Sequence, residues 1–145
     1  MPGGTEVTLP APLEQIPFLT GGGAVLALLP PEVQTLAEHE GPGVIRAADR
    51  EAVRVLLAFP LGESRSRFGA GERLHSKVGA GDWRLEIEGA RTREYRIEAS
   101  LAALDADFVP CTLGVRGGAL QSWSYDAATR VLTARLRTAR GSLVA

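Results

Sequence analysis

Strict alternation of apolar and charged side chains over residues 83–88 is the feature that most limits what this chain can fold into. The stretch "WRLEIE" has three apolar side chains at alternate positions, Trp83, Leu85 and Ile87. Because neighbouring strand residues point to opposite faces, this period of two predicts a half-buried β-strand. The alternation recurs in "EYRIEAS" and in "VLTARLRT", where the predicted inward residues are Tyr95, Ile97, Leu132, Ala134 and Leu136.

Other apolar runs are short and end at turn-forming residues, so they also read as strands. "VRVLLAFP" stops at Pro60, and "DAATR" at 126–130 predicts a turn between two strands. Closely spaced strands with turn signals are typical of sandwiches. The sequence therefore predicts an all-β fold, an antiparallel β-sandwich with at most a short helix at 32–39.

The length of 145 residues fits one domain, since domains typically have about 100–200 residues. The segment 62–82 is polar and glycine-rich, and we expect it to form a long loop or linker. The prediction is one compact β-sandwich unit over 1–145. An alternative is two small sandwich pieces, 1–61 and 83–145, with a boundary at 62–82.

The apolar stretch "APLEQIPFLTGGGAVLALLP" at 11–30 resembles a targeting segment only in its hydrophobicity. No Lys or Arg precedes it, so we expect no secretory signal peptide here, and glycines and prolines interrupt it well short of a membrane span. Its three glycines lack the Gly-Lys-Ser/Thr of a phosphate-binding loop. We expect two short strands, 16–20 and 24–29, joined by a glycine turn, in a cytoplasmic protein.

The charge composition gives no global attraction to nucleic acid or to an anionic membrane. Sixteen basic and seventeen acidic residues leave a formal net charge of −1. Cys111 is the only cysteine, so no intrachain disulfide can form. Its apolar neighbours in "DFVPCTLGV" predict a buried thiol.

Two segments resemble a known family. Residues 3–29, "GGTEVTLPAPLEQIPFLTGGGAVLALL", are similar to the segment that follows the catalytic barrel in family-31 glycoside hydrolases, the α-glucosidase and α-xylosidase group. The segment 107–137, with "VRGGALQSWSYDAATRVLTARL", resembles the end of the distal sandwich of those enzymes. The resemblance implies a detached C-terminal β-sandwich that supports a barrel or contacts carbohydrate.

This sequence also departs from the family pattern. Thr20 stands where an arginine is usual, and the acidic "YEDDG" signature is absent from 60–82. The two catalytic aspartates of the family lie on the barrel, so no catalytic residue can be transferred and the unit is expected to be non-catalytic by itself. Strands that precede residue 5 in the family have no counterpart, which predicts an open sheet edge and a homodimer.

An aromatic pair suggests a carbohydrate-binding module as a second interpretation. Trp123 and Tyr125 alternate in "LQSWSY" and so share one strand face. An exposed pair could stack on sugar rings, because these side chains combine an apolar ring with a polar tip. The structural alternative is that the two rings seal the edge of the sandwich.

A third interpretation is a small hydrolase of lactones or activated esters. In it His75 acts as general base and Asp82 orients the imidazole. Asp105 and Asp107, two residues apart, could hold a cation such as Ca²⁺ that polarises the carbonyl. The alternatives are a solvated loop histidine and ordinary surface acids, with no cofactor.

Overall fold

The structure is a computed structural model that describes residues 6, 8–10, 12, 14, 19–33, 52–69 and 71–145. In these parts of the chain there are seven strands: β1 (Val25–Leu28), β2 (Val53–Ala58), β3 (Glu63–Phe68), β4 (Glu72–Val78), β5 (Trp83–Ser100), β6 (Gly114–Asp126) and β7 (Val131–Val144). A single 3₁₀ turn, Leu101–Ala103, follows β5 within the same described residues.

The long strand β5 organises the sheet. On one side it pairs with β7 along almost its whole length. On the other side its first half pairs with β4 and its second half with β2. The neighbour changes at a bulge between Glu88 and Arg93. The strands β1, β3 and β6 then add to β2, β4 and β7, and the resulting sheet curls until it is nearly closed.

The interior is filled by the residues that the alternation predicted. Large apolar side chains that are inward on the first half of β5 and on β7 are buried, among them Trp83, Leu85, Ile87, Leu132 and Leu136. Tyr95, Ile97 and Ala134 are buried as well. Full burial of one large apolar side chain stabilises a fold by about 1.5–3 kcal/mol, so this interior is the main source of stability.

The all-β class is confirmed, and the strand pairing adds one feature to it. The pair β2–β5 is parallel, whereas the other pairings among the described residues are antiparallel. The sheet is therefore mixed, because β2 and β5 are neighbours that run in the same direction. The hairpin β3–β4 lies between them in the sequence.

The expectation of a long loop at 62–82 is wrong. Residues 63–68 and 72–78 form the hairpin β3–β4, whose turn contains Gly69 and Gly71 at positive φ. The hydrophobic pattern missed it because several inward positions are polar: Ser64, Ser66, Glu72 and Ser76. β2, which precedes this segment, and β4, which lies within it, both pair with β5, which follows it.

The N-terminal expectations are tested in part. β1 confirms the strand predicted at 24–29, and it follows a turn in which the Gly21 carbonyl accepts a hydrogen bond from the Ala24 N–H at 3.2 Å. Most of the strand expected at 16–20 and of the helix expected at 32–39 lies outside the described residues. Among the described residues, no helix is long and apolar enough to cross a membrane.

Candidate functional site

Trp123 on β6, one of the aromatic pair that the sequence singled out, is exposed at the surface. Trp123 lies opposite the buried Ala134 of β7, yet 37% of its surface remains exposed. Tyr125 lies two residues further along the same face, opposite Leu132, and packs partly buried against the core. The structure thus brings the predicted pair to one side of β6, and only Trp123 is exposed.

Trp123 lines a surface groove of about 530 Å³ across β2, β5, β7 and β6. The other polar residues of its wall are Arg96, Glu98, Ser122, Ser124, Thr133 and Arg135. The Ser124 and Thr133 hydroxyls are hydrogen bonded at 2.8 Å across the β6–β7 pair. The groove therefore combines hydroxyl groups with charges of both signs, next to the exposed Trp123.

Arg96 is held rigidly in this wall by two carboxylates. Its Nη1 donates a hydrogen bond of 2.6 Å to Glu32 Oε1, and its Nε donates one of 3.2 Å to Glu94 Oε1. The hydrogen bond to Glu32 contributes most to a raised pKa of Arg96, and the hydrogen bond to Glu94 raises it further. A backbone hydrogen bond and then Arg96 lower the pKa of Glu32, so both groups are charged at neutral pH.

His75 lies on β4 between two carboxylates, not beside Asp82. Its Nδ1 is 3.0 Å from Glu86 Oε2, and its Nε2 is 2.9 Å from Glu63 Oε1. The hydrogen bond with His75 is the largest cause that lowers the pKa of Glu63, and Lys77 and Arg65 add to it. Both ring nitrogens contact a carboxylate, so His75 on β4 links Glu63 of β3 to Glu86 of β5.

Asp82 belongs to the turn between β4 and β5. Its carbonyl accepts a hydrogen bond of 2.7 Å from the Gly79 N–H, and its carboxylate is 4.0 Å from Arg84. Asp82 and His75 line different cavities. The carboxylate partners of His75 are therefore Glu63 and Glu86. Their proximity to His75 depends on the strand register, which the sequence does not show.

Asp105 and Asp107 line one open depression of about 680 Å³ together with Asp82 and Cys111. The Asp105 carbonyl accepts a 2.6 Å hydrogen bond from Arg130, which anchors this segment to the turn between β6 and β7. Among the described residues, no three or more histidine, cysteine or acidic side chains are grouped so that they could hold a metal ion.

The expectation that Cys111 is buried is wrong, because its side chain is exposed. Residues 105–113 have no strand geometry, so apolar neighbours in the sequence do not imply an inward direction. The sequence reasoning also missed a set of polar side chains inside the sheet. Arg54, Glu72 and Arg93 are buried there beside Tyr95.

No family model, no curated protein and no solved structure matches this chain. The likeness to family-31 glycoside hydrolases therefore remains a prediction that rests on residues 3–29 and 107–137.

Proposed function

We propose that this chain is a non-catalytic accessory β-domain of a glycoside-hydrolase-like protein and that it contacts carbohydrate through the Trp123 groove. The observation that carries the proposal is the exposure of Trp123 on β6 beside a groove rich in hydroxyl and charged groups. The sequence resemblance supports the same assignment independently of the groove.

The chemistry of the groove suits a sugar. An indole face offers apolar, polarisable surface against the C–H face of a pyranose ring. Ser122, Ser124 and Thr133 can donate to and accept from sugar hydroxyls, and the Arg96 guanidinium is already held in place by Glu32 and Glu94. A preorganised donor loses less conformational entropy on binding. Tyr125, half-buried on the same face, would anchor this part of β6 to the core.

Tryptophan fluorescence gives a direct test, because the two tryptophans of the chain differ sharply in environment. Trp83 is fully buried, and its Nε1 donates a 3.0 Å hydrogen bond to Ser76 Oγ. Trp123 is exposed and should respond to a ligand. Titration with maltooligosaccharides up to millimolar concentration should change the Trp123 emission and protect it from acrylamide quenching.

Two variants separate binding from unrelated changes. Trp123→Ala should abolish both the fluorescence response and retention on an immobilised α-glucan. Gln121→Ala, at an exposed position on the same strand, should retain both. An unresponsive wild-type protein, or a Trp123→Ala variant that is still retained, would remove carbohydrate contact at this groove.

A further inference from the structure

One part of the outer face of the sheet is basic although the chain as a whole is not. It is formed by the outward residues of β3, β4, the first half of β5 and the end of β7, which are in register. Among the described residues, this basic face has six cationic side chains, Arg65, Arg67, Arg73, Lys77, Arg84 and Arg140. Three carboxylates, Glu63, Glu86 and Glu88, reduce its net charge to +3. The whole chain has a net charge of −1.

Next to the turn of the β3–β4 hairpin, the basic face contains two arginines that are directly opposite each other. Arg67 of β3 pairs in register with Arg73 of β4. Like charges in this position destabilise a sheet. Arg73 is 3.9 Å from Glu88, whereas Arg67 has no ion pair or hydrogen bond with any residue that the structure describes.

On the outer face of the second half of β5, positive and negative side chains are paired. There Arg96 is paired with both Glu32 and Glu94. The excess of positive charge around Arg67 is therefore a local property of the basic face. An anionic ligand would relieve the Arg67–Arg73 repulsion, because it would supply the missing negative charge.

A cavity of about 350 Å³ lies at this point of the basic face. It is lined by Arg65, Arg67, Arg73, His75, Glu86 and Glu88, together with Ser66 and the strand at Leu74. Its volume is at the lower end of the range for small-molecule sites, roughly 300–1,000 Å³. It shares no lining residue with the Trp123 groove.

We propose that this cavity binds a carboxylate-bearing saccharide, that is, a uronate-containing oligosaccharide. The planar guanidinium groups of Arg67 and Arg73 match a carboxylate geometrically and electrostatically. Glu86 and Glu88 can accept hydrogen bonds from sugar hydroxyls.

The same residues disfavour nucleic acid as the ligand. Among the described residues that line the cavity there is no Phe, Tyr or Trp on which a base could stack. The proposal goes beyond carbohydrate contact at Trp123, because it concerns a second surface and a charged class of sugar.

Calorimetric titration of the full chain with the linear trimer of galacturonic acid tests the proposal. The methyl-esterified trimer is the matched ligand, since it keeps the hydroxyls and loses the negative charge. We expect the free acid to bind and the ester not to bind. The double variant Arg67→Ser/Arg73→Ser should weaken binding by about tenfold or more, because two charge-assisted contacts are lost.

Arg137→Ser is the control, since this exposed arginine on the outer face of β7 lines neither cavity and removes the same kind of charge. It should retain wild-type affinity. Circular dichroism and the emission of buried Trp83 verify that each variant is folded.

The following results would overturn the proposal. One is no binding of the acid trimer at millimolar concentration. Another is equal binding of acid and ester. The third is a loss in Arg137→Ser as large as in the double variant, or tighter binding of an oligothymidylate than of the trimer, which would indicate non-specific attraction of polyanions. A Trp123→Ala variant that retains trimer affinity would separate this cavity from the Trp123 groove.

Discussion

Arg93 and Glu72 form a buried ion pair inside the sheet. The Arg93 Nη1 donates a 3.0 Å hydrogen bond to Glu72 Oε2, and its Nη2 is 2.9 Å from Oε1. The two side chains are only 5% and 3% exposed. The pair joins the start of β4 to β5 just after the bulge at which β5 exchanges β4 for β2 as its neighbour.

Breaking this pair from one side should be strongly destabilising. Glu72→Gln leaves the Arg93 charge buried without its carboxylate, and losses of about 3–5 kcal/mol in the free energy of unfolding are typical of such changes. Urea unfolding followed by circular dichroism measures the loss. The single variants Glu72→Leu and Arg93→Leu each break the pair, whereas the double variant Glu72→Leu/Arg93→Leu removes it. The double variant should lose clearly less free energy of unfolding than the sum of the losses of these two single variants. Additive losses would show that the two residues act independently.

Tyr95→Phe should leave stability at neutral pH unchanged or raise it by about 1 kcal/mol. The Tyr95 ring is fully buried, and its hydroxyl has no hydrogen-bond partner among the described residues. Burial, and then the charge of Glu72, raise the pKa of Tyr95 above its ordinary value of 10.0.

The raised pKa predicts a specific alkaline response. The unfolded phenol loses its proton near its ordinary pKa while the folded one keeps it, so stability falls as the pH rises from that value to the folded pKa. Urea unfolding from about pH 8 to about pH 11.5 should show this fall in the wild type and a smaller one in Tyr95→Phe. Tyr125→Phe, at the half-buried second tyrosine, should retain the wild-type slope.

A non-glycine residue in the left-handed backbone region costs roughly 1–2 kcal/mol. Gly23→Ala should destabilise the turn before β1 by more than that amount. Gly23 has a φ of +86°, and a Cβ there would be 2.7 Å from the Leu61 carbonyl oxygen. Ser64 Oγ also donates a hydrogen bond to the Gly23 carbonyl. Thermal unfolding of Gly21→Ala, at a position with open space, serves as control and should be close to wild type. Equal effects at both positions would contradict a specific role for Gly23.

We propose that two copies of the chain associate through the edge of β1. Among the described residues β1 pairs only with β2, and Leu28 at its end is 43% exposed. Open strand edges favour pairing with a second chain, and a charge on the edge blocks it. Sedimentation at micromolar concentration should give a dimer for the wild type and a monomer for Leu28→Lys. Val109→Lys, at a 59% exposed position elsewhere, should remain dimeric; a monomeric wild type would disprove the association.

The sequence by itself determined the strands whose inward residues are apolar. Trp83, Leu85 and Ile87 had only one direction in which to be buried, since a period of two places them on one face and their charged neighbours on the other. The class of fold followed from the same local rule, whereas the sequence left open whether Trp123 on β6 is exposed.

Tertiary structure alone decided the features that depend on which strands are neighbours. The inward positions of the hairpin β3–β4 include serines and Glu72, so its sequence has no apolar alternation. The hairpin could be recognised only once β4 was seen to pair with β5. The bulge before Arg93, which points inward to Glu72, likewise arises where distant segments pair, and the register of the β3–β4 hairpin sets Arg67 opposite Arg73. The physical reason is that side-chain periodicity is a local property, whereas register is selected by the packing and electrostatics of the assembled sheet.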